Sequence, residues 1–484
     1  MSDDEPIGVS DLLRSSAARD GTGLALVDGL RRMSWADLDA AVSGAARALI
    51  GAGPLPGDRV TLQLRTGADF AVLYLGALRA GLVVVPINPA YPPAEVDYIR
   101  GDCRAALHVD AESAAALLAS ATRDGDPAAD RGGENLSVLL YTSGTSGRPK
   151  GAMLTARALL ANLDQLAAVR PPMLTAEDVL FVPLPLSHVF GLNAGLGMAL
   201  RVGATVVLAD RFDAASTLAT MADERVTAVL GVPGQYAQWL RHPDVERGFA
   251  HVRFAMSGST TLGRAVLDGY FERGIVLHDG YGLTEAAPVV AVNAIGDPVR
   301  PRPGSIGLPL PGVEVELRDQ DGEPADLGDP GRIFIRGANL FSGYWPDGAD
   351  GPDQHGWFGT GDIAVFDADG ELHLVGRSAE LVIVNGFNVY PAEVEAVLAR
   401  VPGVAEVAVV GVPDEVTGEA VVAYVVPAAG AHLDPDRLIA AAADGLARFK
   451  LPTRVSVVDA LPHTVTGKIM RWQLKPDGER DGGS

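Results

Sequence analysis

Short apolar, β-branched runs alternate with longer Ala- and Leu-rich stretches through the first two thirds of the chain. "DRVTLQL" (Asp58–Leu64), "LVVVPIN" (Leu82–Asn88), "SVLLYT" (Ser137–Thr142), "VLFVPLP" (Val179–Pro185), "ATVVLA" (Ala204–Ala209) and "VTAVLGVP" (Val226–Pro233) read as buried strands. "GADFAVLYLGALRAG" (Gly67–Gly81) and "ARALLANLDQLAAV" (Ala156–Val169) read as helices between them. Such alternation predicts α/β layers with much parallel sheet.

The pattern changes after about Arg300. "EVELRD", "GRIFIRG" and "AVFDADGELHLVG" are strand–turn–strand signals with Asp-Gly turns, so a β-rich subdomain is expected. After Gly376, segments from "ELVIVNGFNVYP" to "RVSVVDALP" predict a compact α+β segment of roughly 100 residues. A chain of 484 residues exceeds what one core usually covers, so two domains are expected, 1–376 and 377–484. The polar, Gly-rich tail "KPDGERDGGS" is expected to be disordered.

Composition narrows the function classes. The formal net charge is 39 − 61 = −22, which makes the chain a poor general binder of nucleic acid or anionic membrane. A polyanionic ligand would have to be held by local donors and metal. The single cysteine, Cys103, excludes an intrachain disulfide framework or Cys-based zinc site. "MSDDEP" lacks a signal pattern, and the apolar stretches near Phe70–Pro86 and Gly191–Leu208 are broken by Arg79 and Arg201. A cytoplasmic protein without an integral membrane segment is expected.

Chemistry concentrates first in "LLYTSGTSGRPKGAML" (Leu139–Leu154), a loop between an expected strand and an expected helix. Glycines let backbone N–H groups approach phosphate, hydroxyls add donors, and Lys150 adds charge. The Walker pattern needs lysine directly after the second glycine and a hydroxyl after that. Here two residues separate Gly147 from Lys150, and Gly151 follows.

Three further stretches carry candidate chemistry. In "GYGLTEAAP" (Gly280–Pro288), Tyr281 offers a flat face for stacking a base, Thr284 a phosphate donor and Glu285 a hard oxygen ligand for Mg²⁺. In "WFGTGDIA" (Trp357–Ala364), the Asp362 carboxylate can accept both hydroxyls of a ribose, with Arg377 a further donor. In "LPHTVTGKIMR" (Leu461–Arg471), Lys468 follows Thr466 and Gly467. Taken singly, a core tyrosine, an Asp-containing turn and a solvated lysine are the more ordinary readings.

Together, in this order and spacing, the four elements resemble the adenylate-forming superfamily: acyl-CoA synthetases, peptide-synthetase adenylation domains and firefly luciferase. The resemblance runs from about Asp20 to Arg471 and includes "NGFNVYPAEVE" (Asn385–Glu395), similar to fatty acyl-CoA synthetases. It implies an α/β fold: a large N-terminal domain of layered α/β subdomains with a β-rich subdomain, and a small mobile α+β C-terminal domain. It implies ATP, Mg²⁺ and coenzyme A as ligands and a carboxylic acid as substrate. By this resemblance Thr142, Ser143, Gly144, Thr145, Ser146, Gly147 and Lys150 cradle the β and γ phosphates. Gly258, Ser259, Asp279, Gly280, Tyr281 and Gly282 form the adenine side. Thr284 meets the α-phosphate, Glu285 binds Mg²⁺, and Asp362 and Arg377 hold the ribose. Lys468 stabilises the charge developing at the α-phosphate. His188, Phe190, Val232, Gly280 and Gly282 belong to the acid site, and Gly386 and Phe387 to the CoA face.

The chain departs from the family at two points. Ala379 stands at the hinge position, usually Asp or Lys. "SGSTTL" (Ser257–Leu262) lacks the proline many relatives carry before the leucine.

The acid-site stretch "PLPLSHVFGLNAGLG" (Pro183–Gly197) is apolar apart from His188 and Asn193 and contains no aspartate to pair with an α-amino group. Gly280 stands where malonate-activating relatives carry arginine. Both features favour a largely apolar monocarboxylic acid, and the likeness of "NGFNVYPAEVE" to fatty acyl-CoA synthetases implies a fatty one. An acyl-AMP ligase loading a carrier protein, an aryl- or branched-acid CoA ligase, a catalytically silent nucleotide-binding protein and a P-loop NTPase are the alternatives. Of these, the NTPase alone would release phosphate instead of pyrophosphate.

Overall fold

The computed structural model describes residues 8–121, 131–142, 149–260, 262–293, 304–377, 380–384, 387–414, 417–443, 445–464 and 467–474. They form two compact units, Met1–Val315 with Ile335–Phe358, and Glu316–Phe334 with Gly359–Ser484. The cut expected after residue 376 falls inside the second unit. There the strand Leu372–Arg377 pairs antiparallel with Phe358–Phe366 and packs beside the helix Pro391–Leu398. The polar tail from residue 475 lies outside the described residues.

The first unit contains two sheets. One is five-stranded, in the order Leu107–Val109, Arg59–Leu62, Val83–Pro86, Leu136–Thr142, Lys150–Thr155. The other runs Ser305–Pro309, Val289–Val292, Leu277–Gly282, Phe254–Ser257, Ala228–Gly231, Val179–Val182, Thr205–Leu208, Leu24–Asp28, Arg31–Ser34. From Leu277–Gly282 to Leu24–Asp28 all neighbours are parallel. Each of the six runs read as strands overlaps one. The parallel strands are buried on both faces, as continuous apolar runs predict.

One local expectation fails. The Thr142–Lys150 loop does not lead into a helix. A strand, Lys150–Thr155, comes first and pairs antiparallel with Leu136–Thr142, and only then does the helix Ala156–Ala168 begin. "KGAMLT" has weak intrinsic strand preference, so the pairing imposes its conformation. Thr155 then caps the helix by accepting from Ala158 N.

An aromatic core lies under the parallel sheet, where Tyr236, Trp239, Phe249 and Tyr270 meet edge to face or tilted. In the second unit, Val382–Val384, Phe387–Val389, Gly418–Pro427, Val404–Asp414 and Arg454–Val457 form a five-stranded sheet. The helices Pro391–Leu398 and Pro435–Ala443 cover it through Val394, Leu398, Leu438 and Ala442.

Candidate functional site

In the first unit the candidate residues gather at the carboxyl ends of adjacent parallel strands. Val232 follows Ala228–Gly231, and Gly258 and Ser259 follow Phe254–Ser257. Asp279 to Gly282 end the next strand. His188 and Phe190 follow Val179–Val182, at the start of a π-helical stretch, Phe190–Gly197. Open α/β sheets bind ligands at this end, because the strands terminate there and the loops diverge.

Steric detail ties these residues together. A Cβ at 258 would meet the Phe190 ring at 3.1 Å. A Cβ at 280 would collide with Met256 Cε, and one at 282 with the Pro288 carbonyl. Backbone therefore excludes a side chain at 282, whereas at 280 only the flexible end of Met256 stands in the way; Tyr281 between them is buried. Ser259 is exposed with φ +80, a left-handed conformation costly for serine. Asp279 is buried and accepts from Leu262 N at 3.1 Å; burial pushes its carboxyl up to about 7. His188 accepts from Phe190 N through Nδ1 at 3.2 Å, which leaves the proton on Nε2. Burial lowers its pKa to about 4, so the ring is neutral at pH 7.

Thr284 and Glu285 open a short 3₁₀ turn, Thr284–Ala286, which three buried asparagines clamp. Asn339 Nδ2 donates to Ala286 O at 2.8 Å and Asn193 Nδ2 to Ala287 O at 2.7 Å. Asn162 exchanges two hydrogen bonds with the Val289 backbone. The buried Glu285 carboxylate accepts from the Tyr344 hydroxyl at 2.6 Å. Burial and the neighbouring Glu285 charge raise the Tyr344 pKa, so the hydroxyl stays a donor. Lys150 Nζ lies 5.2 Å over the Tyr344 ring and pairs with Asp350 at 2.9 Å. Thr142 and Lys150 are direct cross-strand partners. Ser143, Gly144, Thr145, Ser146 and Gly147 lie outside the described residues.

In the second unit Asp362 and Arg377 are cross-strand partners, with Arg377 Nε 2.9 Å from Asp362 Oδ1. Lys468 is held by a tight turn: its N–H donates to Thr464 Oγ1 at 3.0 Å, and its carbonyl accepts from Thr464 N at 2.7 Å. Gly467, at φ +81, permits that turn. Burial lowers the Lys468 pKa, as does the nearby Arg377 charge; Glu380 and Asp362 oppose them. Arg471 anchors the segment, with Nη2 2.8 and 2.9 Å from the two Glu395 oxygens and Nη1 3.2 Å from Glu380. Phe387 is 56% exposed and stacks on Phe449. Thr466, Ala379 and Gly386 lie outside the described residues.

Sequence reading missed Tyr344, the clamping role of Asn162, Asn193 and Asn339, and the Glu395–Arg471 anchor. The one signal was an amide inside an apolar stretch, as in "ALLANLDQL" and "VFGLNAGLG". Such a group, once buried, must find a partner.

Comparison with known proteins places these features in a wider set. The family model described as AMP-binding enzyme matches residues 13–345, and that of the AMP-binding enzyme C-terminal domain matches 393–468. A feruloyl-CoA synthase from Amycolatopsis sp is 35% identical over 461 residues, covering 92% of this chain and 93% of that protein. A long-chain-fatty-acid–CoA ligase from Yersinia pestis is 32% identical over 488 residues, covering 88% and 86%. The ATP-bound crystal structure of MatB from Rhodopseudomonas palustris superposes with a TM-score of 0.89 at 33% identity, covering 96% of this chain and 98% of that one.

Proposed function

Because the chain belongs to the AMP-binding enzyme family, we propose that it joins a largely apolar monocarboxylic acid, of the fatty type, to coenzyme A. It is an AMP-forming acid–thiol ligase of the acyl-CoA synthetase branch, with ATP and CoA as substrates. A carboxylate is a poor electrophile. One of its oxygens attacks the α-phosphate, acyl-adenylate forms and pyrophosphate leaves. The CoA thiol then attacks the acyl carbonyl and AMP leaves.

In this reading Tyr281 lies against adenine, with Gly258, Ser259, Asp279, Gly280 and Gly282 around it. Asp362 and Arg377 hold the ribose. Thr284 bonds the α-phosphate, and Thr142, Lys150 and the loop between them hold the departing phosphates. Lys468 stabilises charge on the α-phosphate and carboxylate oxygens, a large catalytic term in a water-poor site. Burial, the first cause of its lowered pKa, strips water from the ammonium form, so the field of that form acts on substrate instead of water. Glu285 suits Mg²⁺, being a buried hard-oxygen donor whose orientation the Tyr344 hydroxyl fixes. Bound there, the ion would neutralise phosphate charge. Rotation of a C-terminal domain beginning at residue 377 would withdraw Lys468 and present Phe387 to the thiol.

His188, Phe190 and Val232 line the acid site. An apolar acid is favoured because no cation stands at residue 280, and Met256 occupies the space a side chain there would need. An aryl acid is the second reading, on the strength of the relative named feruloyl-CoA synthase. A cytoplasmic location is part of the proposal. Among the described residues no helix is long and apolar enough to cross a membrane.

The observation that carries the assignment of roles is the convergence of the adenine- and acid-site residues at the carboxyl ends of four adjacent parallel strands. The test is a panel of carboxylic acids with ATP and Mg²⁺, with and without CoA. Pyrophosphate release is followed and products are weighed by mass spectrometry. Acyl-CoA from straight-chain acids is expected. Preference for aryl acids would install the second reading, and turnover that needs a carrier protein would overturn the CoA acceptor.

A further inference from the structure

A small cavity lies in the first unit beside the strand Phe254–Ser257. It measures about 30 Å³, and every side chain lining it is apolar, among them Leu166, Met173, Met198, Phe254 and Met256. That is the room of roughly one water molecule, too little for an acyl tail. Three of the chain's eight methionines line it, so much of its wall can deform. Methionine is unbranched, with three rotatable bonds, and repacks more cheaply than Leu or Phe.

Met256 touches both the cavity and the acid site. On the strand Phe254–Ser257, alternate residues Phe254 and Met256 face the cavity, while Ala255 faces the aromatic core on the other side. The Met256 carbonyl accepts from the Tyr236 hydroxyl at 2.9 Å, and its neighbours on both sides are parallel strands. Its backbone is fixed and only the side chain is free to move. The Cε end lies against Gly280, in the space a Cβ at 280 would need.

We propose that Met256 is the gate that sets acyl-chain length. This rests on the reading above, in which the acid's carboxyl end lies by Gly280. A tail running inward from Gly280 meets the Met256 thioether first. Short tails stop there. Longer ones must turn Met256 aside and enter the space lined by Met173 and Met198. The preferred substrate is therefore a short straight-chain acid, and selectivity against longer ones resides in one side chain.

The experiment measures kcat/KM over a homologous series of straight-chain acids for the wild type, Met256→Ala and Met256→Leu. Alanine removes three heavy atoms, Cγ, Sδ and Cε, so the optimum should move up by about three carbons. Each methylene newly buried should raise kcat/KM about fourfold, the equivalent of ~0.8 kcal/mol. Leucine keeps the volume but is branched and stiff, so it should steepen the decline beyond the wild-type optimum. KM for ATP should stay within about twofold in both variants. An unchanged length profile in Met256→Ala, or in Met256→Leu if the alanine variant does not fold, overturns the gate. Failure of the parent reading looks different: the wild type would then release no pyrophosphate with any acid of the series.

Discussion

Replacing Asn339 with leucine would release one of the three amides that clamp the Thr284–Ala286 turn. Asn339 and Ala286 are fully buried, and leucine is close enough in size that cavity effects stay small. The change deletes the Asn339 bond to Ala286 O at 2.8 Å and the bond from Gln165 Nε2 at 3.2 Å. It also orphans a buried carbonyl. Two lost hydrogen bonds at ~1 kcal/mol each, with the desolvation penalty, give about 2–4 kcal/mol against the closed turn. That corresponds to roughly 30- to 900-fold more frequent local opening. Amide exchange followed by mass spectrometry on peptides spanning 283–290 reads this directly. The Ala286 and Ala287 amides, bonded to Leu283 O at 3.0 Å and Thr284 O at 3.2 Å, are the reporters. Adenylation should slow with them, because Thr284 and Glu285 ride on the turn. The strand Val404–Asp414 in the second unit serves as the internal control and should not change. Exchange within about threefold of wild type at 283–290, in a folded variant, would refute the clamp.

Lys468→Ala should lower acyl-adenylate formation by about a hundredfold or more while sparing thioester formation from supplied acyl-adenylate. Equal loss of both half-reactions, followed by pyrophosphate release and thiol consumption, would remove the role assigned to this lysine. Tyr344→Phe deletes the donor to Glu285 at 2.6 Å but keeps the ring beneath Lys150. The Mg²⁺ concentration for half-maximal adenylation should rise about tenfold with KM for CoA unaltered, and an unmoved Mg²⁺ titration would contradict it. Asp279 has a folded pKa of about 7 against an ordinary 3.8, so the folded state holds the extra proton between those values. Stability therefore falls as pH rises through that window, by up to about 1.4 kcal/mol per unit. Asp279→Asn should flatten this slope in thermal unfolding between pH 4 and 7; an equal slope in both proteins would disprove the assignment.

Much of the fold was legible because parallel strands buried on both faces are written as continuous apolar runs. Val179–Val182 and Ala228–Gly231 could be read nearly to the residue. Lys150–Thr155 could not, since nothing in "KGAMLT" favours a strand until Leu136–Thr142 lies beside it. Gly280 and Gly282 stood out around Tyr281 in sequence. What a side chain at each would meet, the flexible end of Met256 at 280 and the fixed Pro288 carbonyl at 282, exists only in the folded chain.

By itself the sequence determined the chemistry: the hydroxyl- and glycine-rich loop, the Tyr-Gly-Leu-Thr-Glu run, Asp362, Arg377 and Lys468 in their order. Residue types and spacing are local information, and they suffice to say which groups can bind phosphate, ribose or a cation. Only the tertiary structure decided how those groups are supported. Asn162, Asn193 and Asn339 come from three distant segments and close on one turn. Tyr344 reaches Glu285 across 59 positions, and Arg471 reaches Glu395 across 76. A buried polar group must be paired, but which partner it finds depends on how distant segments pack. The same holds for Met256, an ordinary core methionine in sequence, which the fold sets between Gly280 and an apolar cavity.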